Sequence, residues 1–371
     1  LSGFSASDHA WMSRALQLAE QGRWTCDPNP RVGCVLVRDG VCIGEAGHRR
    51  AGEDHAEIRA IAAAGGDTAG ATAYVTLEPC SHYGRTPPCA DALIEAGIAR
   101  VVAGATDPNP RVAGRGLERL REAAVAVASG LMAAQSEALN PGFFRRMRGG
   151  LPWVRAKLAA SLDGRTAMAS GESRWITEPP ARRDVHRWRA ASSAIVTGVD
   201  TVIADDPALT VRDVDGEFCP PRRVVIDTDL RTPPDAGLLA DQQGVVLIHG
   251  GTMPARETDL VHAGAELWQV ATDEDGHVAP AAALEALAAA EINEVWLEAG
   301  PRLTGAWVQA GVVDELIIYL APHLMGHEGQ PLLALAGLAS MDDRLALRRT
   351  DSRWVGEDLR LTFCLHDDED V

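Results

Sequence analysis

The sequence holds no apolar run of the ~20 residues that a membrane-spanning helix needs, and no signal-peptide pattern opens it. Cysteine is scarce and irregular. Its seven copies are odd in number and unevenly spaced, which is not a disulfide framework and fits a reducing cytosol. Positive charge is the minority sign: 35 Lys and Arg stand against 52 Asp and Glu, for a net charge of −17. Such a balance argues against DNA or RNA as main partner, because polyanion binding draws on clustered Lys and Arg. A phosphorylated small molecule is still admitted, since it needs only a local basic pocket. No Gly-x-Gly-x-x-Gly stretch follows an expected strand, so a Rossmann domain is not indicated, and no internal repeat relates the two halves. The expectation is a cytoplasmic protein with neither nucleic-acid nor membrane partners.

What is present fits a globular chain. Its 371 residues, 46% apolar and 23% charged, are too many for one compact core, so two domains are expected. The densest chemistry lies between His55 and Cys89. His55-Ala56-Glu57 is followed downstream by Pro79-Cys80 and then, after eight further residues, by Cys89. One His and two Cys suit a zinc ion that keeps its fourth position open for water. Zinc lowers the pKa of such a water toward ~7. Glu57, two residues past the His, is close enough to handle protons without binding the metal. His-x-Glu with Pro-Cys and a later Cys is the arrangement of the zinc deaminases, although two residues usually separate their cysteines. A purely structural zinc site would need a fourth protein ligand, for which His82 is the candidate.

The long spacing is itself a signature. Pro79-Cys80-Ser81-His82-Tyr83-Gly84-Arg85-Thr86-Pro87-Pro88-Cys89 resembles the deaminase half of the bifunctional deaminase/reductases of riboflavin biosynthesis. The resemblance extends from about Asp8 to Leu365. It implies deamination of a phosphoribosylated diaminopyrimidinone, 2,5-diamino-6-(5-phosphoribosylamino)pyrimidin-4-one, followed by NADPH reduction of its ribosyl group to ribityl. It also gives Asn29, in the turn Asp27-Pro28-Asn29-Pro30, a role in holding substrate; read alone, Asn29 is a turn residue.

Periodicity supplies the layout. An amphipathic helix is expected over 8–21, with Met12, Ala15, Leu16 and Ala19 on one face. Strands follow at 32–37 and 41–47, joined by Arg38-Asp39-Gly40. A helix opens at His55 and another at Cys89, with strands at 73–77 and 100–105 between and after them. The metal-side residues therefore sit where helices begin, beside free N–H groups and the positive dipole end. A helix over 115–124, a short strand at 125–128 and one closing helix over 132–148 complete a zinc-dependent deaminase domain, 1–148. Gly149-Gly150 marks the boundary. In the second domain, 151–371, strands are expected at 153–159, 194–197, 223–227, 245–249, 266–270, 294–298, 315–320 and 359–365, with helices over 181–190 and 281–290. Both domains read as α/β: the first as a three-layer, cytidine-deaminase-like fold, the second, through the resemblance, as a dihydrofolate-reductase-like fold.

Three stretches of the second half carry the same resemblance: 157–165 (Lys-Leu-Ala-Ala-Ser-Leu-Asp-Gly-Arg), 204–212 (Ala-Asp-Asp-Pro-Ala-Leu-Thr-Val-Arg) and 298–306 (Glu-Ala-Gly-Pro-Arg-Leu-Thr-Gly-Ala). The last has a physical reading of its own, since a Gly-rich turn opening a helix can hold a pyrophosphate. The resemblance implies NADPH contacts at Ala159, Trp175, Thr201, Asp205, Thr228, Gly300, Pro301, Arg302, Leu303, Thr304, Gly305 and Ala306. It implies substrate contacts at Ser173, Arg189, Leu209, Arg212 and Glu298. Guanidinium forks match phosphate oxygens, which suits Arg189 and Arg212. Lys157 and Asp205 are candidates to handle the proton that accompanies hydride transfer. Family members associate through the reductase domain, so a homodimer or homotetramer is expected.

The resulting reading is a bifunctional enzyme with zinc at His55, Cys80 and Cys89, and Glu57 as proton shuttle. Its rivals are a zinc deaminase of another free base, nucleoside or tRNA fused to a non-cognate reductase-like domain, a flavin-precursor sensor without turnover, and a chain whose deaminase half has decayed. Glu57→Gln is expected to keep zinc and lose deamination; retained turnover would remove Glu57 from proton transfer.

Overall fold

The computed structural model describes residues 3–81, 87–110, 112–241 and 243–365. The acidic stretch 367–370, expected from its charge to be a solvated end, lies outside the described residues. The chain folds as two compact units, Leu1–Gly150 with Glu217–Cys219, and Leu151–Gly216 with Pro220–Val371. No described helix is long and apolar enough to cross a membrane.

In the first unit α1 (Ala6–Ala19) precedes the hairpin β1 (Gly33–Arg38) and β2 (Val41–Gly47). Next come α2 (Ala56–Ala63), β3 (Thr72–Leu77), α3 (Cys89–Glu95) and β4 (Arg100–Ala105). Then α4 (Arg115–Glu122), β5 (Ala126–Ser129), α5 (Ala133–Ala138) and α6 (Pro141–Gly149) end the unit. The sheet order is β2-β1-β3-β4-β5, with β1 antiparallel to its neighbours and β3, β4 and β5 parallel. One face packs Ala56, Ala60, Ala90, Leu93, Leu117 and Leu120 against the sheet. The other receives Met12, Ala15 and Leu18 of α1. Helix and sheet approach closely there: a Cβ on Gly33 would lie 1.9 Å from the Ala15 carbonyl oxygen, so only glycine fits.

α1 starts two residues earlier than its apolar period suggests, because Ser5 and Asp8 form a capping box. Asp8 does more than cap. Its buried carboxylate also accepts the Tyr74 hydroxyl at 2.8 Å and Arg100 at 2.8 Å, tying α1 to β3 and β4. The single closing helix expected over 132–148 is instead two, α5 and α6. Pro141 lacks the N–H that a continuous helix would use there, and it sits at the first turn of α6. The break has a tertiary partner: Asn140 accepts the Arg31 N–H at 2.7 Å and donates to the Arg31 carbonyl at 3.0 Å.

The second unit begins with β6 (Trp153–Ser161), β7 (Arg165–Ala167), α7 (Pro179–Ala190), β8 (Ala194–Gly198) and α8 (Val199–Asp205). It continues through β9 (Arg222–Ile226), β10 (Val245–His249), α9 (Pro254–His262), β11 (Ala265–Gln269), α10 (Pro280–Ala289) and β12 (Glu294–Leu297). α11 (Pro301–Gln309), β13 (Glu315–Ala321), β14 (Gln330–Pro331), β15 (Arg348–Val355) and β16 (Asp358–Cys364) follow. Nine strands form one sheet in the order β11-β10-β9-β8-β12-β6-β13-β16-β15, parallel from β11 to β13 and antiparallel beyond. The chain leaves β6, builds β8 to β11 outward, then returns to insert β12 between β8 and β6. Trp296 and Trp307 are fully buried in this unit. Trp188 of α7 stacks on Trp296 with ring centroids 5.6 Å apart, and Arg155 and Arg360 lie over the Trp188 ring. Arg155 is neutralised by Glu294 and Glu315, Arg360 by Asp184 and Asp351.

Asp8→Asn is expected to destabilise the first unit by about 2 kcal/mol, since it weakens a cap and leaves the Arg100 charge without its partner. Arg100 and the Ser5 and Tyr74 donors outweigh burial and hold the Asp8 carboxyl well below its ordinary value of 3.8. A depressed folded-state value means the contribution is complete above about pH 4 and fades as acid protonates Asp8. Equal denaturant midpoints for variant and parent at neutral pH would contradict this.

Candidate functional site

The first unit gathers its chemistry at one edge of its sheet. His55 is the N-cap of α2, and Glu57 lies in that helix's first turn, 3% exposed. Cys80 follows β3 by three residues, and Cys89 opens α3. Their ligand atoms all lie within 4.8 Å of one another. His55 Nδ1 is 3.2 Å from the Cys89 sulfur and 3.6 Å from that of Cys80. A zinc ion with Zn–S near 2.3 Å and Zn–N near 2.05 Å in tetrahedral geometry would separate N and S by about 3.6 Å. The donor set therefore fits zinc in chemistry and spacing. His82 lies outside the described residues.

The electrostatics suit a metal centre. A hydrogen bond from Cys89, with His55 nearby, brings the Cys80 thiol down to about 4. Cys89 is raised by that same bond and by burial. His55 is raised to about 9, chiefly by Cys80. Burial pushes the Glu57 carboxyl up to about 7 against the pull of His55.

A second histidine packs beside this cluster. His48 is buried, and its ring meets that of His55 edge-on with centroids 5.3 Å apart. Its Nε2 lies 3.2 Å from the Asn29 amide nitrogen and its Nδ1 3.2 Å from the Asp54 carbonyl oxygen. Asn29 thus stands one side chain away from His55. Burial lowers the pKa of His48 and favours the neutral ring. Nothing local in Gly47-His48-Arg49 marks this role; it arises because the end of β2 passes the start of α2.

In the second unit the expected residues fall largely at the carboxyl ends of parallel strands, where open α/β sheets bind ligands. Thr201 and Asp205 lie on α8 after β8, Thr228 follows β9, and Glu298 follows β12. Gly300 is the N-cap of α11 and Pro301 its first residue. Arg302, Leu303 and Ala306 keep some exposure, whereas Thr304 and Gly305 face inward. Thr304 donates to the Ala299 carbonyl, and a Cβ on Gly305 would meet the Ala334 oxygen at 2.2 Å. Lys157 and Ala159 are half-buried on β6. Ser173 and Trp175 lie between β7 and α7, with Trp175 71% exposed and the Arg182 guanidinium over its ring. Leu209 is buried, and the Arg212 backbone N–H donates to His186.

Glu298 is the hub. Arg189 grips it with two hydrogen bonds, of 2.5 and 2.8 Å, and spends a third donor on the Thr210 carbonyl. The Trp296 indole adds a bond of 2.6 Å. Burial raises the Glu298 carboxyl, but Arg189, Lys157 and Trp296 outweigh it and hold the value near 2. Lys157 is pulled down by burial and by Arg189, with Glu298 opposing. It is the only lysine among the 35 Lys and Arg of the chain. Asp205 sits in a different network, paired with Arg174.

Similarity to known proteins covers both units. Residues 5–105 match the cytidine and deoxycytidylate deaminase zinc-binding region, and residues 152–361 match the RibD C-terminal domain. The riboflavin biosynthesis protein RibD of Escherichia coli (strain K12) is 50% identical over 97% of this chain and 98% of its own length. The chain belongs to the RibD family. The Haemophilus influenzae RibD protein is 44% identical over 97% of this chain and 98% of its own length. The Acinetobacter baumannii RibD structure, form 1, superposes with a TM-score of 0.90 at 41% identity, covering 97% of this chain and 99% of that one. A Thermotoga maritima structure described as a diaminohydroxyphosphoribosylaminopyrimidine deaminase/5-amino-6-(5-phosphoribosylamino)uracil reductase gives 0.83 at 29% identity, over 97% of this chain and 99% of that one. As a RibD protein, the chain is a bifunctional enzyme of riboflavin biosynthesis. It is a zinc-dependent deaminase of the phosphoribosylated diaminopyrimidinone and an NADPH-dependent reductase of the ribosyl group.

Proposed function

We propose that residues 1–148 carry the deamination and 151–371 the reduction, with the chemistry divided among the residues as follows. Zinc, when held by His55, Cys80 and Cys89, supplies a Lewis acid that makes water nucleophilic near neutral pH. Glu57, buried beside those ligands, takes the proton of that water and delivers protons to the ring nitrogen and to the departing ammonia. Asn29, hydrogen-bonded to His48, holds the pyrimidine. The observation that carries this half is the convergence of three soft ligands with a buried, non-ligating carboxylate in the first turn of the same helix.

In the second half NADPH supplies the hydride to C1′ of the ribosyl group. The proposed cofactor contacts are Ala159, Trp175, Thr201, Asp205, Thr228 and the start of α11, Gly300 through Ala306. Ser173, Arg189, Leu209, Arg212 and Glu298 are assigned to the substrate. Arg189 acts largely by orienting Glu298, since three of its donors are already engaged. Lys157 delivers the proton that balances the hydride; its lowered pKa favours donation, and Glu298 keeps it within reach of a charged partner. Asp205, which is paired with Arg174, is the second candidate for handling that proton.

The protein is further proposed to act in the cytoplasm, in keeping with its seven free cysteines. It is proposed to form a homodimer or homotetramer through the second unit. Leu324, Met341 and Trp354 there are each more than 70% exposed, and β15 is an edge strand of the nine-stranded sheet. Light scattering is expected to give at least twice the chain mass, and a monomer mass would remove this interface.

Product analysis by mass spectrometry on the pyrimidine phosphoriboside tests the division of labour. Deaminated product without NADPH and ribityl product with it are expected, and Lys157→Met should stop at the deaminated compound. Full reduction by Lys157→Met would exclude Lys157, and no conversion by the zinc-loaded parent would overturn the reading.

A further inference from the structure

Glu78 is a buried carboxylate, 3% exposed, that the proposed chemistry does not use. It stands one residue beyond β3 and two before Cys80, and its backbone N–H still pairs with Ala105 at 2.9 Å. Its side chain crosses to the connection that follows β4. One oxygen, Oε2, accepts the N–H groups of Asp107 at 3.2 Å and Gly114 at 2.9 Å. The other, Oε1, accepts those of Gly116 at 2.9 Å and Leu117 at 3.4 Å. All four partners are backbone donors.

Two of these donors, Gly116 and Leu117, are first-turn N–H groups of α4, which a helix start leaves unpaired. The N-cap of α4 is Gly114, at φ +85° and with no side chain to cap its own helix. Glu78 performs that office from a neighbouring strand, placing negative charge at the positive end of α4. The contact extends to the main chain. A Cβ on Gly116 would lie 1.9 Å from the Pro79 carbonyl oxygen, so the peptide leading into Cys80 rests directly on the first turn of α4.

We propose that Glu78 is a positioning residue of the metal centre: by capping α4 from outside, it fixes the Pro79-Cys80 peptide and hence the Cys80 sulfur. Glutamine is a poor substitute, because one of its two ends is itself a donor and would face two N–H groups. The inference rests on the zinc reading of the first unit.

The test uses the full chain loaded with cobalt(II), whose visible absorption reports thiolate ligation and tetrahedral geometry. Parent, Glu78→Gln and Asp8→Asn are compared, the last removing another buried carboxylate of the same unit that does not touch this loop. Glu78→Gln is expected to shift and weaken the cobalt bands, to release metal to a chelator about tenfold faster and to lower deamination about tenfold, as loss of a supporting group around a metal does. Its reductase turnover should stay at the parent level, and Asp8→Asn should keep the parent spectrum. An unchanged spectrum and release rate in Glu78→Gln, or the same changes in Asp8→Asn, would overturn the proposal. A parent that binds cobalt without thiolate bands would instead overturn the zinc reading, and this proposal with it. If Glu78→Gln does not fold, Glu78→Asp, which keeps the charge but shortens the reach, is read by the same criteria.

Discussion

The first unit is built around one demand: three ligand atoms carried by separate elements must meet within 4.8 Å. None of the three can adjust alone. His55 is fixed as the N-cap of α2, Cys89 by the first turn of α3, and Cys80 by the exit of β3. The parallel register of β3 and β4 and the small-residue packing of α2 and α3 on the sheet hold that edge in place. Helices starting at a strand edge bring N–H groups and positive dipole ends toward the site, which favours the thiolate form its ligands need.

The second unit meets a different constraint. It holds a largely buried carboxylate, Glu298, among two cations and an indole N–H just beyond the carboxyl end of β12. A lone buried carboxylate would take up a proton. The bidentate Arg189 contact keeps it charged, and the charged carboxylate in turn opposes the lowering of the Lys157 pKa by burial. The net positive character of that trio suits a phosphorylated substrate despite the overall charge of −17. Bulk charge argues against a polyanion as main partner, while local arrangement admits a small anion.

Legibility from sequence followed the kind of force involved. Strands such as Val245–His249 and Ala194–Gly198 are continuous apolar runs buried on both faces, and periodicity found them within a residue or so. β15 went unseen because Arg348, Arg349, Asp351 and Arg353 carry no alternation; the strand is exposed and is held by pairing with β16. The split of 132–148 into two helices turned on Pro141 and on Asn140 clasping Arg31, a contact between residues far apart in the chain. The grouping of His55, Cys80 and Cys89 was legible because their chemistry and spacing are local. His48 and Glu78 were not, because each acts through a neighbour that only the fold supplies.

Lys157 carries one more implication. A chain with a single lysine, itself half-buried on a central strand, presents no other side-chain amine to its surroundings. Acylating agents, reducing sugars and amine-directed cross-linkers, which decorate most proteins at many surface points, find in this sequence a single side-chain amine, on β6. The side chains of this sequence are chemically quiet toward amine-directed electrophiles, and what reaction there is falls on one position of a central strand.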